Sequence, residues 1–171
     1  MKNAIAALAL TLFFAACAGK SLKPKYVEEE NQADYASTKE MSAKPEAVRL
    51  AARAALDELS HASSPKQASD AVKADEDAIF TGWVYSPASR DKYVQYEANG
   101  ALQRKPLEVR RIYGYEITPS LAGSHVAMSV EEEVQELDLK TGEPKGWKRV
   151  DPEKAAYDLL FQKLKEHLSR L

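Results

Sequence analysis

The chain has 171 residues, a formal net charge of −2 and no basic stripe, so it is sized for one domain and poorly suited to nucleic acid. Its one cysteine, Cys17, excludes an internal disulfide, a dithiol redox pair and a multi-cysteine metal site. The fold must therefore rest on a hydrophobic core rather than on covalent staples.

Lys2 is followed by an apolar run from Ala4 to Ala16, 13 residues long. A helix needs about 20 apolar residues to cross hydrocarbon, so this run reads as an export signal and not as a span. It closes on Phe14-Ala15-Ala16-Cys17, with small residues directly before the cysteine. This segment resembles the lipobox of bacterial lipoproteins, with Phe14 where leucine is commoner. The resemblance implies removal of residues 1–16 and lipidation of Cys17. One acyl chain gives only marginal membrane binding, at about 0.8 kcal/mol per buried methylene. The several chains such a cysteine carries would hold the protein on its membrane partner. Ala18-Gly19 follow the cysteine, with no Asp beside it. By analogy with Gram-negative lipoproteins that implies the periplasmic face of the outer membrane, or the cell membrane where only one membrane exists.

Residues 18–44 are polar, with Lys20, Lys23 and Lys25, then Glu28-Glu29-Glu30. Apolar side chains are too sparse there to offset the entropy of ordering. Residues 17–44 are therefore expected to be the lipidated cysteine and a flexible tether, and residues 45–171 a single periplasmic domain. Pro45 suits a first helical turn and Glu46 its dipole. Val48, Ala52, Ala55, Leu56 and Leu59 recur at helical spacing up to about Ala62. Ser64 and Gln67 form a capping-box signal for a short second helix to about Ala74.

From Ala78 the pattern shortens to period two. Ile79–Tyr85 and Lys92–Ala98 read as strands, and Asn99-Gly100 is a hairpin signal. Pro106 limits central pairing on the return. Leu107–Thr118 and Ser124–Val134 alternate most clearly. Pairing Pro119 with Ser124, across a Ser120–Gly123 loop, sets Ile117 against Val126, Tyr115 against Met128, Tyr113 against Val130 and Val109 against Val134. The same register sets Arg111 against Glu132 on the apolar side and Arg110 against Glu133 on the polar side. A slip of one residue would place valines opposite charges, so both ion pairs are predicted, the second one exposed and worth about 0–1 kcal/mol.

Leu137 and Leu139 break phase with Val134, which predicts a bulge near Gln135–Glu136. Thr141–Pro144 reads as a turn and Gly146–Val150 as a short edge strand carrying Trp147. Asp151 as cap and Pro152 at the first position start a last helix whose stripe is Ala156, Leu160, Leu164, His167 and Leu171. The fold class is α+β: an antiparallel meander of about four to six strands, packed on one face by N-terminal and C-terminal helices.

Residues with chemical potential are few. His61, His125 and His167 stand at no metal-ligand spacing. Ser124 and His125 are adjacent on a strand, so they point to opposite faces and make no nucleophile–base pair. Glu131, Glu132, Glu133, Glu136 and Asp138 are dense, but alternation splits them and arginines face two of them. An ion pair on an apolar face is costly, which singles out Arg111 and Glu132. Trp83, Tyr113, Tyr115 and Trp147 join them as candidate ligand or interface residues, since tyrosine and tryptophan favour interfaces. No catalytic residue, metal or cofactor is expected.

The expected function is a membrane-anchored, non-enzymatic lipoprotein whose domain binds another cell-envelope protein, as an assembly factor, pilotin-like accessory or structural adaptor. The competing expectation is a carrier or sensor holding a small apolar or amphipathic ligand between sheet and helix. An aromatic patch on the sheet's open face favours the first, and an apolar cavity under the last helix favours the second.

Overall fold

The computed structural model describes residues 25–28, 37–62, 73–74, 78–98, 101–138 and 142–171. In chain order they form β1 (Lys25–Glu28), β2 (Thr38–Met41), α1 (Pro45–His61), β3 (Lys73–Ala74) and β4 (Ala78–Phe80). There follow β5 (Val84–Ala98), β6 (Ala101–Ser120), β7 (Gly123–Leu137), β8 (Pro144–Val150) and α2 (Lys154–Leu168). The strands make one antiparallel sheet, and both helices pack on the same face of it. The architecture is α+β.

β6 is the spine. One edge pairs with β7, and the other with β5 and then β4. β4 and β5 are one strand interrupted at Thr81–Trp83, since Ala78 faces Glu116 while Val84 faces Arg111, one residue out of step. At the break the Thr81 amide donates to the Tyr113 carbonyl (2.9 Å), and the Tyr113 amide donates to Thr81 Oγ1 (3.0 Å). Tyr113 thus keeps both its backbone partners across the irregularity. β2 and β8 share the outer edge of β7, along Ser124–Ala127 and Glu132–Leu137. β1 pairs with β5 and β3 with β4. Short pieces set end to end raise the strand number above the four to six expected.

The β6–β7 ladder has the register that apolar alternation requires: Ile117 faces Val126, Tyr115 faces Met128, Tyr113 faces Val130 and Val109 faces Val134. Its turn is tighter than the expected loop, because Ser120 pairs with Gly123 and only Leu121-Ala122 remain at the tip. Ala98 pairs with Ala101, as a hairpin at Asn99-Gly100 requires, the two turn residues lying outside the described residues. Pro106 faces Tyr93 beside the largest slip of the β5–β6 ladder, where a missing N–H does least harm. Burial along β7 changes phase between Val134 and Leu137. Pairing slips there by one residue, but the extra residue is Lys145 on β8, not a residue of β7.

Three expectations need correction. Thr38–Met41 lies within the segment expected to be tether, yet it forms β2 on the edge of β7, and Lys25–Glu28 forms β1 on β5. Polarity misled there, because an edge strand needs only backbone partners and can expose its side chains. The second helix lies outside the described residues except at its end, where Lys73-Ala74 is strand β3. α2 begins at Lys154 with Glu153 at the cap position and no side-chain cap, so Asp151 does not cap it.

Two clusters fill the covered face. The larger joins Val48, Ala52, Ala55, Leu56 and Leu59 of α1 to Tyr113, Tyr115, Ile117, Val126, Met128 and Val130 of the sheet, and to Ala156, Leu160 and Leu164 of α2. Ala51, Ala52 and Ala55 of α1 are buried against the sheet, small side chains that suit close packing of the helix there. Leu56, Leu160 and Leu164 are fully buried, each contributing about 1.5–3 kcal/mol. The smaller cluster joins Val94, Leu107, Val109, Val134 and Leu137. Glu58 of α1 ties the helices together, accepting from Lys163 Nζ (2.8 Å) and contacting His167 Nε2 (2.9 Å) on α2.

Two predictions follow from this packing. Gly123 has φ +142°, and a Cβ there would lie 2.4 Å from the Met41 carbonyl oxygen. Gly123→Ala should therefore destabilise by about 1–3 kcal/mol in urea unfolding and expose the β2 amides to hydrogen exchange. The second concerns acid. Lys163, and then His167, hold the Glu58 carboxyl below its ordinary range. A lowered folded-state pKa gives stability that is present above the unfolded value of 4.5 and lost as pH falls through the folded one. Glu58→Gln should flatten the acid limb of a urea-midpoint profile below about pH 4.5 and leave the neutral limb parallel.

Candidate functional site

The sheet separates the candidate residues into two groups. Arg111, Glu132, Tyr113 and Tyr115 lie on the helix-covered face, and Trp83 and Trp147 belong to an aromatic cluster around Arg110 on the open one.

On the covered face, Arg111 and Glu132 are register partners on β6 and β7. Arg111 Nε donates to Glu132 Oε2 at 2.6 Å. Glu132 is fully buried, and its other oxygen, Oε1, is held by Lys92 of β5. Lys92 is 5% exposed and also reaches Glu153 Oε1 at 3.2 Å, at the start of α2. Two cations and two carboxylates thus form one group joining three strands to a helix end. It stands at the boundary between the two hydrophobic clusters, because Lys92 is next but one to Val94 and Glu132 lies between Val130 and Val134. A lone buried carboxylate would cost several kcal/mol, on the order of 3–5 when a partner is removed. Here both oxygens are used, so the charge is matched where it sits. Burial raises the Tyr113 phenol above its ordinary range; Arg111 opposes that shift and Glu153 adds to it. Burial alone raises Tyr115, whose hydroxyl donates to the Leu160 carbonyl at 2.7 Å. Tyr115 is thereby a strut between sheet and α2.

On the open face, Arg110 is the centre. Its guanidinium carbon lies 4.2 Å from the Trp83 ring centroid and 4.5 Å from that of Trp147. Arg110 Nε donates to Glu133 Oε2 at 2.7 Å, and Nη1 donates to the Tyr85 hydroxyl at 3.4 Å. Tyr85 meets Trp147 edge-on, with centroids 5.9 Å apart at 67°. The Arg110–Glu133 pair was expected to be exposed; its side chains are instead 18% and 21% exposed, with the guanidinium against the two indoles. Such stacking contributes about 0.5–1 kcal/mol per contact at exposed sites and about 2 when desolvated. A second unit of the same kind, Arg104 over Tyr93 at 4.6 Å, extends the pattern along β5 and β6. Flat, amphipathic and rigid groups with few free rotamers are the chemistry of protein-binding surfaces.

Glu131, His125 and Ser124 each have a local partner. Glu131 is paired with Arg149 at 3.5 Å. His125 Nδ1 meets Glu40 Oε1 at 2.8 Å, and Ser120 Oγ donates to Glu40 Oε2 at 2.8 Å. His125 foremost, then Ser120, hold the Glu40 carboxyl below its usual range. Ser124 Oγ donates to the Ala43 carbonyl at 2.7 Å, away from His125, as strand alternation requires. Among the described residues no group of His, Cys, Asp and Glu has a metal-binding arrangement. Cys17 lies outside the described residues.

Lys92 and Glu153 are site residues that the sequence reading did not single out, and Arg110 was read only as the ion-pair partner of Glu133. Lys92 shares its strand parity with buried Val94, which is the signal for an inward lysine. Glu153 carried none, since the cap reading had settled on Asp151. No family model matches the chain, and no curated protein or solved structure is significantly similar to it.

Glu132→Gln should leave two buried cations short of a charge and lower stability by about 3–5 kcal/mol in urea unfolding. Adding Lys92→Met to it should cost less than the two separate losses combined, because the two groups share one interaction. Strict additivity would refute the tetrad.

Proposed function

We propose that this protein is a lipid-anchored adaptor of the cell envelope: Cys17 holds it on a membrane, and the open face of its sheet docks another envelope protein. The observation that carries the docking half is the Trp83–Arg110–Trp147 stack with Tyr85 and Glu133. These side chains are already ordered by one another, so a partner need not immobilise them. The anchoring half rests on Lys2, the short apolar run and Ala15-Ala16-Cys17. Among the described residues no helix is long and apolar enough to cross a membrane, so attachment through Cys17 is the mode this reading requires.

The same packing weighs against a ligand carrier. The space beneath α2, where a carrier would keep its cavity, is occupied by Tyr115, Leu160 and Leu164, with the tyrosine hydroxyl bonded to the helix backbone.

Two measurements test the reading separately. Mass spectrometry of the mature protein from its native membrane should find Cys17 at the N-terminus carrying diacylglyceryl and acyl groups. An unmodified thiol would remove the anchor. For docking, a photoreactive side chain placed at Gln135, the register partner of Trp147, should capture one discrete envelope protein in intact cells. Arg110→Ala and Trp147→Ala should each reduce that capture at least about tenfold, a typical hot-spot effect. Capture of lipid alone, or capture that both substitutions leave untouched, would overturn it.

A further inference from the structure

We infer that the protein docked by the open face of the sheet is basic where it touches, bringing lysine or arginine to the border of an apolar centre. The inference rests on the docking reading above and names the chemistry of its occupant. Around Arg110 the centre holds Trp83, Tyr85 and Trp147. Ile112 follows Arg110 on the same face of β6, and Phe80, 37% exposed, lies opposite Gly114. Glu108 and Glu116 close this stretch of β6 at its two ends, and Glu131 of β7, opposite Ile112, borders its side. All three carboxylates are exposed. Docking surfaces have this layout, an apolar middle with a polar rim. Glu108 and Glu116 are about 27 Å apart at strand spacing, close to the width of a patch of about 800 Å² per partner.

What the rim leaves unmatched is negative. Its two guanidiniums are already opposed, Arg110 by Glu133 and Arg149 by Glu131 at 3.5 Å. Glu108 accepts from the neutral amide of Gln135 at 3.4 Å, which leaves its charge in place. Glu116 has no ion pair among the described residues, and its register partners Ala78 and Ala127 carry no charge. The next open-face cation along β6, Arg104, lies beyond Glu108 and is stacked on Tyr93. Beyond the other end, Glu40 is engaged by His125 and Ser120. The surplus therefore sits at both ends of the aromatic centre, and it discriminates among occupants. A second copy of this chain, meeting the face about a two-fold axis, would set one acidic rim against another. Anionic headgroups are repelled in the same way. A basic protein surface supplies the two missing counter-charges, and its approach is steered by them.

The chain has two tryptophans, and both belong to this face, so its tryptophan emission reports on the site alone. With the full-length chain in micelles of a neutral detergent, an acetylated arginine–serine peptide should shift that emission and a glutamate–serine peptide should not. The shift should fade as salt is raised. Glu108→Gln with Glu116→Gln should weaken the arginine peptide by about three- to tenfold, whereas Glu46→Gln on α1 should change nothing. Both rim substitutions are exposed and isosteric, and an unchanged urea midpoint checks that the fold is kept. In intact cells the same two substitutions should lower capture at Gln135, and the captured segment should carry net positive charge. No response to the arginine peptide, an equal response to both peptides, or binding and capture indifferent to the rim substitutions would overturn the inference. So would capture of an acidic segment, or of the chain's own Lys20–Lys23 stretch; the first of these would leave docking itself standing. If the unsubstituted chain captures no protein, the docking reading falls and this inference falls with it.

Discussion

The interaction on which the rest depends is one carboxylate, Glu132, enclosed by Lys92 and Arg111. It fixes β5, β6 and β7 relative to one another, and through Lys92 and Glu153 it fixes the start of α2 as well. Hydrophobic burial alone is poor at such specification, because it is non-directional and tolerates sliding. A buried charge has only one place where it is matched. The cluster is not an efficient source of stability, since desolvation offsets most of its Coulomb energy. Its effect is to make the wrong arrangements costly.

Arg110-Arg111 and Glu132-Glu133 extend that specification through the sheet. Each dipeptide places one charge on either face, and antiparallel register brings both pairs together at once. Sliding β7 by one residue would turn its faces over and move Val126, Val130 and Val134 outward. Since Glu131 and Glu132 would still meet the two arginines after a slip in one direction, the apolar pattern sets the register and the ion pairs agree with it. Agreement between independent local signals is what gives a sequence one fold rather than several.

That agreement explains which parts were legible from the sequence. The β6–β7 register could be read because apolar alternation on both strands allows one alignment, and both ion pairs then follow from it. α1 was legible for a similar reason, Pro45 and the apolar spacing marking the same boundaries. β2 was not, since Thr38–Met41 has a single apolar residue, Met41, and joins the sheet through its backbone and the close approach at Gly123, with Ser124 Oγ holding the following Ala43. The start of α2 was misplaced because Glu153 is taken up by Lys92 rather than by a capping role. In the candidate site, the two indoles were legible as types but not as a unit. Trp83 and Trp147 are 64 residues apart in the chain, and only the register across the four strands β5 to β8 brings both to Arg110.

Arg110 and Arg111 show how one sequence motif can serve two purposes. On the covered face the Arg111 guanidinium is held by the Glu132 carboxylate beside the Tyr113 phenol and is mostly buried. On the open face the neighbouring guanidinium is also paired, with Glu133, but it is flanked by rings that keep an edge to solvent. Its charge is neutralised before any encounter, so covering it removes less hydration than covering a free cation would. Its side chain and both indoles are already confined, so little rotamer entropy remains to be lost. Those two properties would suit the docking proposed for this face, even at modest area. The rigid, ion-paired interior is what holds β5, β6, β7 and β8 in the alignment that assembles it.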